Sequence, residues 1–343
     1  MLGKLRHIKL QLKTDRALLR CLFGVSFALL LATALNLPAP HLLAILSLMF
    51  LGKGKARLSV KKMLLILLAF FVLGSMGEFL GKYLIDFPLV IVPLLGLFTF
   101  WSFRLTQIPS PVRLIFLLFT LLLSFAGIQA NFLGGFALSL LFTLFALALF
   151  IVQLSFLLFP SLPEQVSDKA KNQSSSSSLN PDKLAFNSLM VVLPIIAFFF
   201  TFNVNVLPLT FAFIILLSFD PFVYQSKKGP ALIIGNIIGG LVGILAYNIL
   251  VVAPSFLLYA FLIISIGGYF VVQIFSDKKT APIFELAYKT FFVVMGTISV
   301  SENSAGSTIA ERILQLGLAV VYVIVAFKVL NTFNNPEIAN ETN

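Results

Sequence analysis

One apolar run of the chain, APIFELAYKTFFVVMG at 281–296, carries three groups able to do chemistry: Glu285, Tyr288 and Lys289. An ionisable side chain at membrane depth costs at least about 2.5–3.5 kcal/mol, so such groups are candidates for binding a charged ligand or moving a proton. Glu285 and Lys289 stand four residues apart, on one helical face with Phe292 and Gly296. Two readings follow. Lys289 attracts an anion while Glu285 carries a proton, or the carboxylate only neutralises the ammonium along the helix, whose lysine stem snorkels to the interface. Near the start of the last apolar run, Arg312 offers a guanidinium to a carboxylate on a face shared with Gln315, and snorkelling is again the alternative. Glu78, Lys82 and Asp86 recur at four-residue spacing, either a paired rim or a mouth in which Glu78 is a second proton carrier. Asn236, within a glycine-rich run, has a donor and an acceptor for a neighbouring helix or a substrate. Asp220-Pro221 closes another apolar run as a helix end or a proton acceptor.

The elements that must position these groups are membrane helices. Of 343 residues, 59% are hydrophobic and 11% charged, against about 45–50% and about 25% in soluble domains. Apolar blocks fall near 17–36, 39–52, 63–85, 88–103, 112–130, 132–159, 184–203, 205–219, 229–252, 254–275, 281–299 and 306–330. The fold class this predicts is an all-α polytopic membrane protein of about twelve transmembrane helices. Twelve crossings take roughly 240 residues, which leaves no space for an extramembrane enzyme domain. P-loop, H-E-x-x-H and G-x-S-x-G patterns are absent, so no enzyme activity is expected. A single cysteine, Cys21, rules out an intrachain disulfide, and with only His7 and His41 beside it neither a metal nor another cofactor is expected.

The net charge of +11 does not point to nucleic acid, because its distribution reads as topology. With a cytoplasmic N-terminus, 21 of the 24 basic residues fall on the inside, Lys82 alone lies outside, and Lys289 and Arg312 lie within apolar blocks. Positive residues resist translocation, so both termini are expected in the cytoplasm of a multi-pass protein. The short blocks 39–52 and 205–219 are near the length of re-entrant segments, but dropping both would put the 53–62 basic cluster outside. Ala32-Thr33-Ala34 resembles a signal-peptide cleavage site, yet the run before it is as long as a full span and is expected to be retained.

Residues 160–183, with five consecutive serines, read as a flexible cytoplasmic linker between a first six-helix half at 1–159 and a second at 184–331, with a cytoplasmic tail at 332–343. Lys62, Gly74, Gly77 and Pro88 recur as Lys228, Gly240, Gly243 and Pro254 at a constant offset of 166, and Gly127 pairs with Gly296. An even number of spans per half makes this a parallel repeat about an axis along the membrane normal. Gly74 and Gly77 in the third span, and Gly239, Gly240 and Gly243 in the ninth, form small-residue faces for close helix packing, with substrate contact the other reading.

The stretches RALLRCLFGVSFALLLATALNLPAPHLLAIL, KKGPALIIGNIIGGLVGILAYNILVVAPS and ERILQLGLAVVYVIVAF, with Gly-Asn-x-x-Gly-Gly at 235–240, resemble the fusaric acid resistance and aromatic acid exporter superfamily. Within it they look like a bacterial branch of two six-helix halves. The resemblance covers roughly 16–330 without the linker. It implies efflux of aromatic or other organic acids across a Gram-negative inner membrane, a resistance function, and work alongside a periplasmic adaptor protein. The large cytoplasmic domain of the bigger exporters is lacking between or after the halves, which leaves regulation, energy coupling and substrate open. The expected function is thus an inner-membrane transporter exporting organic acid anions, with protons as the coupling ion. Lys289, Arg312, Tyr288 and Asn236 would bind substrate, and Glu285 or Glu78 would carry the proton. A non-transporting scaffold that anchors an adaptor or assembly complex is the alternative, and a lipid-modifying enzyme a weaker third.

The topology has a direct test. A phosphatase reporter fused after residue 170 should be inactive and a fluorescent protein at the same point bright; the reverse pair would overturn the twelve-span arrangement.

Overall fold

The computed structural model describes residues 2–53, 55–105, 117, 120–124, 133–160, 181–202, 228–278, 280–298, 318, 321–323, 325–326 and 328–330. Among them are nine helices and no strand: α1 (Leu2–Ala34), α2 (Pro40–Leu51), α3 (Val60–Tyr83), α4 (Pro88–Arg104), α5 (Leu133–Leu158), α6 (Pro181–Phe202), α7 (Lys228–Val252), α8 (Phe256–Phe275) and α9 (Ala281–Ile298). The block at 205–219, most of 112–130 and 306–330, the bulk of the linker, the tail, Asp220 and Arg312 lie outside the described residues.

Local chemistry explains the ends. Proline, which has no N–H to lose, opens α2 and α4. Ser255 caps α8 by accepting from the Leu258 amide at 3.2 Å, which satisfies one of the donors left over in a first turn. The chain reverses between α1 and α2 through Asn36 and Ala39, both left-handed with φ of 50° and 55°. α6 begins at Pro181, three residues earlier than the polar composition of 160–183 suggests, because Pro181 is preset for a first turn and Asp182 complements its dipole.

Among the described residues six helices are long and apolar enough to cross a bilayer: the 15–34 part of α1, α3, α5, α6, α7 and α8. Their surfaces agree with lipid as the outer solvent. Only 22% of the apolar stretch of α3 is buried. α7 turns Ile234, Ile237, Leu241, Leu245 and Ile249 outward, an apolar stripe that water would not tolerate on this scale. The protein is therefore an all-α, multi-pass membrane protein.

The helices form two compact units, each drawing on chain from both sides of the 160–183 segment. In one, α1 packs on α2 and α8, and α9 packs on α2 and α8, so that four helices close a ring. Its core holds Val25, Leu29, Phe270, Tyr288, Phe291 and Phe292. The later part of α5 reaches α1 at Gly24, against Ser155, and α7 reaches α9 through three glycines. A Cβ at Gly235 would stand 2.9 Å from the Ile283 carbonyl oxygen and one at Gly243 2.8 Å from Val294, while at Gly239 it would run into the Ala287 backbone. Between lipid-soluble helices no hydrophobic force selects a partner, so such backbone proximity and its van der Waals contact supply the association.

In the other unit α4 packs on α6 around Ile91, Leu95, Val192, Ile196 and Phe199. Arg104, in the last turn of α4, holds Asp182 in the first turn of α6 at 2.7 Å. Gly77 of α3 meets the Thr120 backbone, and Ser124 donates to the Gly77 carbonyl at 2.9 Å. Gly74 abuts Leu138 and Leu123 in the same unit.

The α7–α9 contact makes a graded prediction. Gly239→Ala should cost about 1–3 kcal/mol through overpacking and lower the Tm in detergent. At Gly268 a Cβ would meet nothing nearer than Leu22 at 4.0 Å. Gly268→Ala should therefore be neutral or stabilising by up to about 1 kcal/mol.

Candidate functional site

The first unit collects four of the residues singled out by sequence: Asn236 on α7, and Glu285, Tyr288 and Lys289 on α9. α9 shows each neighbour a different face. Toward α7 lie Ile283, Leu286, Ala287, Thr290 and Val294, the i, i+3, i+4, i+7 and i+11 positions of one stripe. Thr290 donates to the Asn236 side-chain oxygen at 2.8 Å and, bifurcated, to its own helix at the Leu286 carbonyl at 3.2 Å. Asn236 is 3% exposed and Thr290 5%. This bond was not evident from sequence, since a threonine beside a lysine reads as helix surface; the three-residue step from Ala287 to Thr290 against the Gly235–Gly239 spacing was the available signal.

Toward the ring interior α9 turns Tyr288, Phe291, Phe292 and Met295. The Tyr288 ring stacks on Phe270 at 5.3 Å and sits 4.1 Å from Phe292, centroid to centroid. Both separations are those of attractive aromatic pairs. Its hydroxyl points at Gly267 of α8, where a Cβ would come within 2.6 Å of it. Ser26 of α1 points its own hydroxyl at the same glycine. Both oxygens are buried with no hydrogen-bond partner among the described residues. That state costs about 1–3 kcal/mol per group. The site thus has unused donor and acceptor capacity next to aromatic walls.

On the remaining face Lys289 pairs with Glu285 at 2.7 Å, and their side chains are 28% and 41% exposed. Within one helix the pairing neutralises both charges. Lys55, in the loop after α2, also acts on the Glu285 carboxylate. The same end of the unit is tied by Lys53, which reaches Asp277 at 2.7 Å and the Ser276 carbonyl at 2.8 Å. Arg57 donates to the Gln153 side chain at 3.1 Å, and Gln153 in turn to the Leu58 carbonyl at 2.7 Å. The hydrogen bond from Lys53, then its charge, hold the Asp277 carboxyl below its usual value. Its stabilising effect is therefore present above the ordinary carboxylate pKa and is lost as acid carries the pH down through the lowered one.

Glu78 belongs to the other unit. Its carboxylate lies over Gly134 and Gly135 in the first turn of α5, where a Cβ at Gly135 would be 3.0 Å from Oε1. The helix dipole there favours a negative charge. Gly240 is buried on α7. Among the described residues no three His, Cys, Asp or Glu side chains gather as a metal-ligand set.

Compared with models of protein families, with curated proteins and with solved structures, the chain matches none.

The interhelical bond can be weighed by substitution. Thr290→Val should lower stability by about 1–3 kcal/mol, since it strips a donor from a buried amide oxygen, and Thr290→Ser should retain most of it. Unfolding of the purified protein in detergent measures both.

Proposed function

We propose that the chain is a transporter of a bacterial inner membrane that exports organic acid anions, aromatic ones among them, through twelve crossings in two parallel six-helix repeats with both termini cytoplasmic. The observation that carries this reading is the Glu285–Lys289 ion pair, kept partly exposed on an otherwise apolar helix. A helix needed only for anchoring gains nothing from two charges that are costly to insert. An ammonium has three donors, and the Glu285 oxygen occupies one of them. The other two suit a carboxylate. Glu285, the partner of that ammonium, is the proposed proton carrier. An inside-negative potential drives a monoanion outward by about 2.3 kcal/mol per 100 mV, so export needs no nucleotide. Tyr288 is the proposed aromatic substrate contact, its buried ring packed on Phe270 and Phe292 at the interior face of α9. Arg312 is the second proposed cation for the substrate, Glu78 the second proton carrier, and a periplasmic adaptor the proposed partner.

Cells lacking the chain and preloaded with benzoate provide the test, complemented at matched expression by wild type, Lys289→Met or Lys289→Arg. Wild type should lower accumulation, Lys289→Met should lose about tenfold or more of the efflux rate, the size expected for one charge-assisted contact, and Lys289→Arg should keep part of it. Export by Lys289→Met at the wild-type rate would sink this assignment.

A further inference from the structure

Arg20 lies on α1, about one and a half helical turns into the apolar stretch that begins at Asp15. It is only 5% exposed. Its guanidinium rests 4.0 Å from the centre of the Phe156 ring, and Nη1 donates to the Phe159 carbonyl at 3.5 Å, the outer limit of a hydrogen bond. No carboxylate pairs with it among the described residues, and Nε is buried without a hydrogen-bond partner. Five N–H donors are thus served by one long bond and a ring face. Burying a cation in this way is unfavourable unless an anion completes it.

The surroundings add positive charge. Arg57 is exposed and commits its Nε to Gln153, one turn before Phe156 on α5. Two carboxylates of the same unit are engaged elsewhere, Asp277 by Lys53 and Glu285 by Lys289. Phe159, whose carbonyl Arg20 reaches, and Phe23, one turn on from Arg20, present half-buried rings, with Phe23 tilted 5.9 Å from Phe159 and stacked 5.6 Å from Phe27. A cation at this depth, rimmed by apolar rings, matches a phosphate whose own carrier is apolar.

We propose that Arg20 anchors an oxyanion site at this end of the first unit, binding phosphate oxygens through the guanidinium edge turned away from the Phe159 carbonyl. The phosphate is borne by an anionic lipid headgroup or arrives free. The site stands on a different residue from the Lys289 assignment and does not depend on it.

The test uses the full-length protein in neutral detergent, with thermal unfolding followed against phosphatidylglycerol, diacylglycerol of the same acyl chains, or inorganic phosphate. Phosphatidylglycerol should raise the Tm saturably and diacylglycerol should not. Arg20→Gln should weaken the response about tenfold, as expected for loss of a charge-assisted bidentate contact. Arg20→Lys, which keeps the charge but lacks the planar fork, should fall between. A saturable response to inorganic phosphate as strong as that to the lipid assigns the site to the free ion; a response to the lipid alone assigns it to the headgroup. The proposal is overturned if neither phosphate source exceeds diacylglycerol in the wild type. It is equally overturned if Arg20→Gln responds as the wild type does or, should that variant not fold, if Arg20→Lys does, since Arg20 is then only a cap on the end of α5.

Discussion

The close approach of α7 and α9 at Gly239 is the constraint on which the candidate site depends. With the Ala287 backbone filling the space a side chain at Gly239 would occupy, α9 has little freedom to rotate. Its three faces are then assigned together. Thr290 must meet Asn236, Tyr288 must point into the ring of α1, α2, α8 and α9, and Glu285 and Lys289 are left at the partly exposed margin. The acid–base pair is thereby held by a packing contact that contains neither of its members.

Lipid as the outer solvent explains a second regularity. In water the outward stripe of α7, Ile234 through Ile249, would be a liability. In a bilayer it is neutral, and the information that orients a helix passes to its small and polar residues. That is why the interior of the first unit holds serine, threonine, tyrosine and asparagine among phenylalanines. Thr33 and Tyr259 share a hydroxyl contact at 3.2 Å near one end, while Ser26 and Tyr288 stand opposed further along.

Much of the helix layout was legible in sequence, because block length and proline or serine punctuation are local signals. The blocks at 39–52, 88–103, 254–275 and 281–299 lie within two residues of α2, α4, α8 and α9 at each end. The grouping of helices into units was not legible, since it depends on which glycine faces which backbone across long stretches of chain. The i,i+4 spacing of Glu285 and Lys289 announced their pairing, and the Gly235-x-x-x-Gly239-x-x-x-Gly243 series announced a packing face but not its partner. In sequence Arg20 reads as one more interfacial charge, because the order of residues shows that a cation sits beside an apolar run and not whether a carboxylate waits for it.

Cys21 has a practical consequence of a different kind. The sequence contains no other cysteine, and this one is fully enclosed in the core of the first unit, 0% exposed. Burial in apolar surroundings keeps its thiol out of reach of alkylating reagents. A cysteine introduced at any exposed position would therefore be the sole fast-reacting thiol on an otherwise native chain. Spin labels, fluorophores and impermeant maleimides can be placed one site at a time, with no need to remove a residue that touches the same core as Tyr288.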